Sequence, residues 1–242
     1  MTTAGRYAGR PPMLVTPQGV LRGMREMLPL ACFALPFGLA FGAAATERGL
    51  APELATLMSL LVFAGASQFA ALELWVEPLP LGALALVVLA VNARHLLLGA
   101  ALAPWLLPLP PGQRHLVLAF LSDANWAHSR SAFERGARDA GLLLGGGLVM
   151  WAFWVAGTAA GGLLGSGLGD LRRFGLDLMM PAFFATMLVG QWRGRADLPP
   201  WVVAGAVALA GVWLLPPGWH VIAGGLAGGL AGLLLEARSR GA

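Results

Sequence analysis

The chain has no lysine, one cysteine and one tyrosine, and only 12% of its 242 residues are charged. A soluble domain carries about twice that share of charge. A lone Cys32 excludes an intrachain disulfide and a multi-thiolate metal site. In its apolar setting it reads as a small packed hydrophobe. All 16 basic residues are arginines, against 12 acidic ones. They sit in tails and short connections and form no stripe interleaved with aromatics, so no nucleic-acid partner is expected. Enzyme signatures are missing too: there is no Gly-x-Ser-x-Gly elbow, no His-Glu-x-x-His and no phosphate-binding loop. His115, His128 and His220 show no metal-ligand spacing. No catalytic residue, metal or cofactor is therefore expected. Without a nucleotide site, any transport is passive, gradient-driven or powered by another subunit.

What fills the chain instead is apolar sequence, 57% of it. A helix that crosses a bilayer needs about 20 apolar residues. Such spans are expected at 28–46, 54–76, 79–106 (interrupted at Asn92), 116–130, 140–165, 174–192, 200–215 and 218–235. The 116–130 span is the weakest. The expected fold is an all-α, polytopic integral membrane helix bundle of about seven or eight transmembrane helices, some of them broken. It is seven if 116–130 does not cross. A tail at 1–27 precedes a single transmembrane domain at 28–235, and a second tail occupies 236–242. The first span is read as retained and not as a cleaved signal, because its leader is long, Pro36 interrupts it and further spans follow. With eight spans and the N-terminus inside, eleven arginines fall on the cytoplasmic side and four in outer loops. That bias places both tails in the cytoplasm, with Arg172-Arg173 as the discordant pair.

The 34 glycines bear on packing. Gly157, Gly161 and Gly165 repeat every four residues, as do Gly224, Gly228 and Gly232, and Gly225 with Gly229. Small residues at that spacing share one helix face and let backbones approach closely. They serve packing within the subunit or a docking face for another membrane chain.

Four polar constellations interrupt the apolar runs. Leu35-Pro36-Phe37-Gly38 lies in the first span, where proline removes one helix hydrogen bond and frees a carbonyl. Transporters use such broken helices to bind ions or substrate near the midplane. The second span carries Phe63-Ala64-Gly65-Ala66-Ser67-Gln68-Phe69. Gly65 and Ala66 remove bulk beside Ser67 and Gln68, whose polar groups need partners in hydrocarbon. They make an interhelical hydrogen bond or line a site for a small polar substrate. The third span holds Asn92, Arg94 and His95. Arg94 keeps its charge and needs a carboxylate, carbonyls or a substrate carboxylate. His95 brings an imidazole, which can relay protons. The alternative is a break near the bilayer surface with Arg94 snorkelling to headgroups. The fourth segment reads Ser122-Asp123-Ala124-Asn125-Trp126. Asp123 is the best internal partner for Arg94, unless the segment is an interfacial turn with Asp123 and Asn125 solvated.

In this order, Pro-Phe-Gly, then Phe-Ala-Gly-Ala-Ser-Gln-Phe, then Asn92-Ala93-Arg94-His95, then Ser122-Asp123, the sequence resembles the AzlC-type branched-chain amino-acid permeases over about residues 21–235. These are the large subunits of bacterial exporters. The resemblance implies an inner-membrane exporter of leucine, isoleucine and valine working beside a small AzlD-type membrane subunit. That family often has a second acidic residue straight after the aspartate, where this chain has Ala124. A proton route through two adjacent carboxylates is therefore not expected here.

Combined, these readings give an expected site. A zwitterionic branched-chain amino acid would bind where the broken first and third spans, with Pro36 and Gly38 in the first, meet the second. Arg94 or a half-helix N-terminus would hold its carboxylate. Gly65, Ala66, Ser67, Gln68 and Asn92 would line the polar end, Phe63 the aliphatic one. His95 and Asp123 would handle the ammonium group or a coupling proton. The rival readings are a non-transporting membrane scaffold, whose polar groups only glue helices, and a passive channel for a small solute.

Overall fold

The structure, a computed structural model, describes residues 13–165, 194–215 and 219–241, with isolated positions between 178 and 192. The expected span at 174–192 lies outside the described residues almost entirely. The described elements are α1 (Pro17–Glu47), α2 (Pro52–Leu61), α3 (Gly65–Glu73), α4 (Leu81–Leu106), α5 (Pro111–Ala119), α6 (Asp123–Glu134), α7 (Gly141–Gly165), α8 (Leu198–Leu214) and α9 (Trp219–Gly241), with a 3-10 turn at Arg195–Asp197. Among the described residues there is no strand, and the fold is an all-α membrane helix bundle. Among the described residues, four stretches are long and apolar enough to cross a membrane: Pro17–Glu47, Leu81–Leu106, Gly141–Leu164 and Arg195–Leu214. The chain forms two compact units, one of Met1–Ala64 with Asn92–Leu168 and one of Gly65–Val91 with Gly169–Ala242.

In the first unit α1 and α7 are the principal packing pair. Thr16 caps α1, accepting from the Gly19 N–H at 2.9 Å, and Pro17 starts the helix where its missing N–H costs nothing. Asp139 then ties this start to the start of α7. Its carboxylate accepts from the Thr16 N–H at 3.1 Å, from the Thr16 hydroxyl, and from the Gly141 N–H at 2.8 Å. Beside it, Leu14 donates to the Arg138 carbonyl at 3.0 Å and accepts from Ala140 N–H at 2.7 Å. Stitched at one end, the two helices run parallel. Gly23 meets Leu142, Gly38 meets Trp154 and Gly157, and Gly42 meets Thr158. At Gly38 a Cβ would stand 2.6 Å from the Trp154 carbonyl oxygen, so only glycine permits this approach. Gly157 and Gly161 face Leu35 and Leu39 of α1 from the other side, which makes the expected stripe in this helix an internal packing face.

Several expectations about interruptions change. The first and third spans are not broken. α1 is continuous through Pro29 and Pro36, and α4 through Asn92. A proline deletes one hydrogen bond and a membrane helix absorbs it. Asn92 lacks any geometric power to end a helix. The long third run is accounted for by 26 helical residues, about 39 Å at 1.5 Å each. The discontinuities fall instead in the second and fourth segments, at residues 62–64 and 120–122. α2 starts beside Gly162 near the end of α7 and descends only as far as Trp151, to whose ring Leu60 is hydrogen-bonded.

The fourth segment is a helical hairpin and not one continuous helix. Asp123 meets Arg94, Trp126 meets Leu98 and Phe133 meets Trp105, so α6 runs parallel to α4 at a constant offset. To reach Asp123 from Leu106 the chain must climb back along α5. Leu102, Leu106 and Leu109 share one buried cluster with Val117 and Leu121 at the end of α5, Phe133 near the end of α6, and Met13, Ala140, Leu143 and Leu144. Cys32 is exposed on α1, against the expectation of a packed position.

The second unit is built separately around Leu74, Ala83 and Val87, with Ala70, Leu84, Val91 and Ile222 packed on them. α8 and α9 pair through Gly224 and Gly228, which approach Ala204 and Pro200, while Gly225 and Gly229 meet nothing within 4 Å among the described residues.

Candidate functional site

The break between α5 and α6 is built by its own side chains. Ser122 caps α6, and Asn125 closes a capping box by accepting from the Ser122 N–H at 2.7 Å. The Asn125 amide donates to the Phe120 carbonyl at 2.8 Å and the Leu143 carbonyl at 3.1 Å. Asn125 is fully buried, so it is not the solvated residue of an interfacial turn. It supplies the hydrogen bonds that the interrupted backbone lacks where no water can.

This construction places Asp123 at the first turn of α6, where a negative charge faces the positive end of the helix dipole. Arg94 Nη1 lies 3.0 Å from Asp123 Oδ2, with the two side chains 25% and 51% exposed. Arg94 sits 13 residues from Leu81 and 12 from Leu106, the ends of α4, or about 18–20 Å from either. A side chain cannot snorkel that far. Arg94 therefore belongs to the middle depth of the helix, and the pair lowers the cost of both charges without necessarily adding net stability. The next residue, His95, has its Nδ1 3.3 Å from the Asn92 carbonyl. Trp126 donates to the Leu98 carbonyl at 3.1 Å and carries the Arg130 guanidinium on its other side, 5.2 Å from the ring centre. Farther along α6, His128 lies 2.8 Å from Glu26, which is itself paired with Arg22 at 2.7 Å.

Of the residues singled out from sequence, Asn92, Arg94, His95 and Asp123 come together in the first unit. Phe63 lies in the break after α2, half-buried. Pro36 is exposed, and Gly38 is buried against α7. Gly65, Ala66, Ser67 and Gln68 open α3 in the second unit, the last three of them buried. Sequence reasoning passed over Trp151 completely. Ser122 and Asn125 carried a signal, the spacing of a helix cap and its third residue. No group of His, Cys, Asp and Glu suited to a metal ion occurs among the described residues.

The family model described as AzlC protein matches residues 29–168. The chain belongs to the AzlC family. The matched stretch runs from within α1 through α7 and holds both breaks. An inner membrane protein of Escherichia coli, YgaZ, is 30% identical to this chain over 223 residues, 88% of this chain and 89% of that one. An uncharacterized membrane protein of Archaeoglobus fulgidus is 34% identical over 211 residues, 86% and 92% of the two chains. The branched-chain amino acid transport protein AzlC of Bacillus subtilis is 30% identical over 168 residues, 68% and 65% of the two. No solved structure matches.

Proposed function

We propose that this AzlC-family protein is a secondary transporter that exports leucine, isoleucine, valine and methionine across the inner membrane. The observation that carries the reading is the Arg94–Asp123 pair at mid-helix depth, at the start of a half-helix and half-exposed on its acidic side. A zwitterionic amino acid brings one charge of each sign. Its carboxylate replaces Asp123 on Arg94, helped by the positive end of α6. Its ammonium group takes the Asp123 carboxylate in turn. One internal ion pair is exchanged for two with substrate, so no charge is left uncompensated in a low dielectric. Asn92 hydrogen-bonds the polar end and Phe63 lies toward the aliphatic one. Pocket fit separates one methylene by only about 1–3 kcal/mol, so preference overlaps among the aliphatic substrates. His95 and Asp123 carry the coupling proton. A small AzlD-type membrane subunit completes the exporter, and both tails are cytoplasmic. In the second unit, Gly65, Ala66, Ser67 and Gln68 are proposed to serve substrate binding, and Ser67→Ala and Gln68→Ala test that directly.

The deciding experiment is uptake of labelled leucine into inside-out vesicles under an imposed proton gradient, with and without the small subunit. Arg94→Gln and Asp123→Asn are each expected to lower the initial rate by about tenfold or more at equal protein level. Unchanged transport in both variants overturns the site. Leucine flux indifferent to the gradient would identify a channel. Lost assembly with normal turnover per folded molecule would identify a scaffold.

A further inference from the structure

The end of α2 poses a physical problem that Trp151 solves. A helix that stops inside hydrocarbon leaves its last carbonyls without partners. Val62 turns back with its N–H on the Met58 carbonyl at 2.8 Å, and Ala64 on the Val62 carbonyl at 2.7 Å. The Leu60 carbonyl accepts the Trp151 indole N–H at 3.1 Å. The same indole stands edge-on to Phe120, 5.6 Å between ring centres at 82°. Phe120 is the C-cap residue of the other half-helix, α5, at its break. The neighbouring Met150 sulfur accepts from the Ser122 hydroxyl at 3.7 Å. At Gly147, one turn below Trp151, a Cβ would stand 2.7 Å from the Asn125 amide nitrogen. A single stretch of α7, residues 147–151, therefore holds both interruptions of the first unit.

We infer that Trp151 is a positioning residue that couples the break after α2 to the break before α6, so that a shift of one is felt at the other. An edge-on ring contact and one hydrogen bond on a shared rigid side chain suit this role, because α7 is locked to α1 by backbone contact and cannot follow either break. Where the transport reading also holds, the coupled break is the one that seats Asp123, and Trp151 then acts on turnover without touching substrate.

The test reads the coupling directly and needs no transport. The full chain with Cys32→Ser and Val62→Cys, in nanodiscs, is labelled with a maleimide, and the rate at position 62 is followed. Phe120→Leu in the distant break is expected to change that rate by about fivefold when Trp151 is present, and by less than about twofold in Trp151→Phe, which keeps a ring and loses the N–H. Trp151→His keeps a ring donor, is expected to retain most of the response, and stands in if Trp151→Phe does not fold. An equal response to Phe120→Leu in all backgrounds, or none with Trp151 intact, overturns the inference. A Trp151-dependent response in a protein that moves no leucine leaves the inference standing and removes the transport assignment alone.

Discussion

Asp139 and Asp123 both stand at the start of a helix in the same unit, and they are used in opposite ways. Asp139 is saturated. It takes a backbone N–H and a hydroxyl from Thr16 and a second backbone N–H from Gly141, welding the starts of α1 and α7. Among the described residues Asp123 meets one side chain, Arg94, and it remains half-exposed. A carboxylate held by two backbone N–H groups and a hydroxyl is a structural pin, since any exchange would cost several hydrogen bonds at once. A carboxylate held by one long cationic side chain can trade that partner for another cation at small cost. The contrast explains how an apolar chain can carry acidic groups of both kinds.

Three substitutions break or sharpen the contrast. Asp139→Ala strips three donors of their acceptor and should cost about 2–4 kcal/mol of stability. It should be seen as a lower detergent unfolding temperature, with transport falling only in proportion to folded protein. An unfolding temperature like that of the parent would show that Asp139 is no pin. Thr16→Ala removes the cap and one of Asp139's partners together and should cost about 1 kcal/mol. Combined with Asp139→Ala it should add less than its own effect, and full additivity in a double-mutant cycle would mean the two do not act as one clasp. Asp123→Asn removes the anion from Arg94 but leaves it an amide oxygen to bond, so it should cost about 1–3 kcal/mol of stability, while its effect on leucine flux per folded molecule is the largest of the three. A large loss of stability with proportionate flux would place Asp123 beside Asp139 as a pin.

What the sequence disclosed follows from what each residue costs. A permanent cation in hydrocarbon needs an anion, and Asp123 was the suitable one, so the Arg94–Asp123 pair was legible before any coordinates. The parallel glycines of α7 were legible as packing. The locations of the breaks were not. Pro36 and Asn92 looked like interruptions by their chemistry, but one lost hydrogen bond or one polar side chain does not end a long membrane helix. The actual breaks have ordinary residues at their points of turning, Val62 to Ala64 and Phe120 to Leu121. What makes them stable lies elsewhere: Trp151 for one, and for the other Asn125, one of only two asparagines in the chain. The indole partner is 91 positions from the carbonyl it satisfies, and no local pattern announces such a pairing. The Ser122–Asn125 box was local, and it did mark the true start of α6.

The weld between α1 and α7 also sets an order of events during synthesis. α1 ends at Glu47 and α7 begins at Gly141. At about 5–20 residues per second, the ribosome needs about 5–20 s to make the chain between them. For that interval α1 stands in lipid with its glycine face unmatched, and α2, α4 and the α5–α6 hairpin are delivered before the strut that will hold them. Assembly of this unit is therefore completed from its last helix backwards, and the arrival of α7 is the moment at which both interrupted segments acquire the partners that let them stay interrupted.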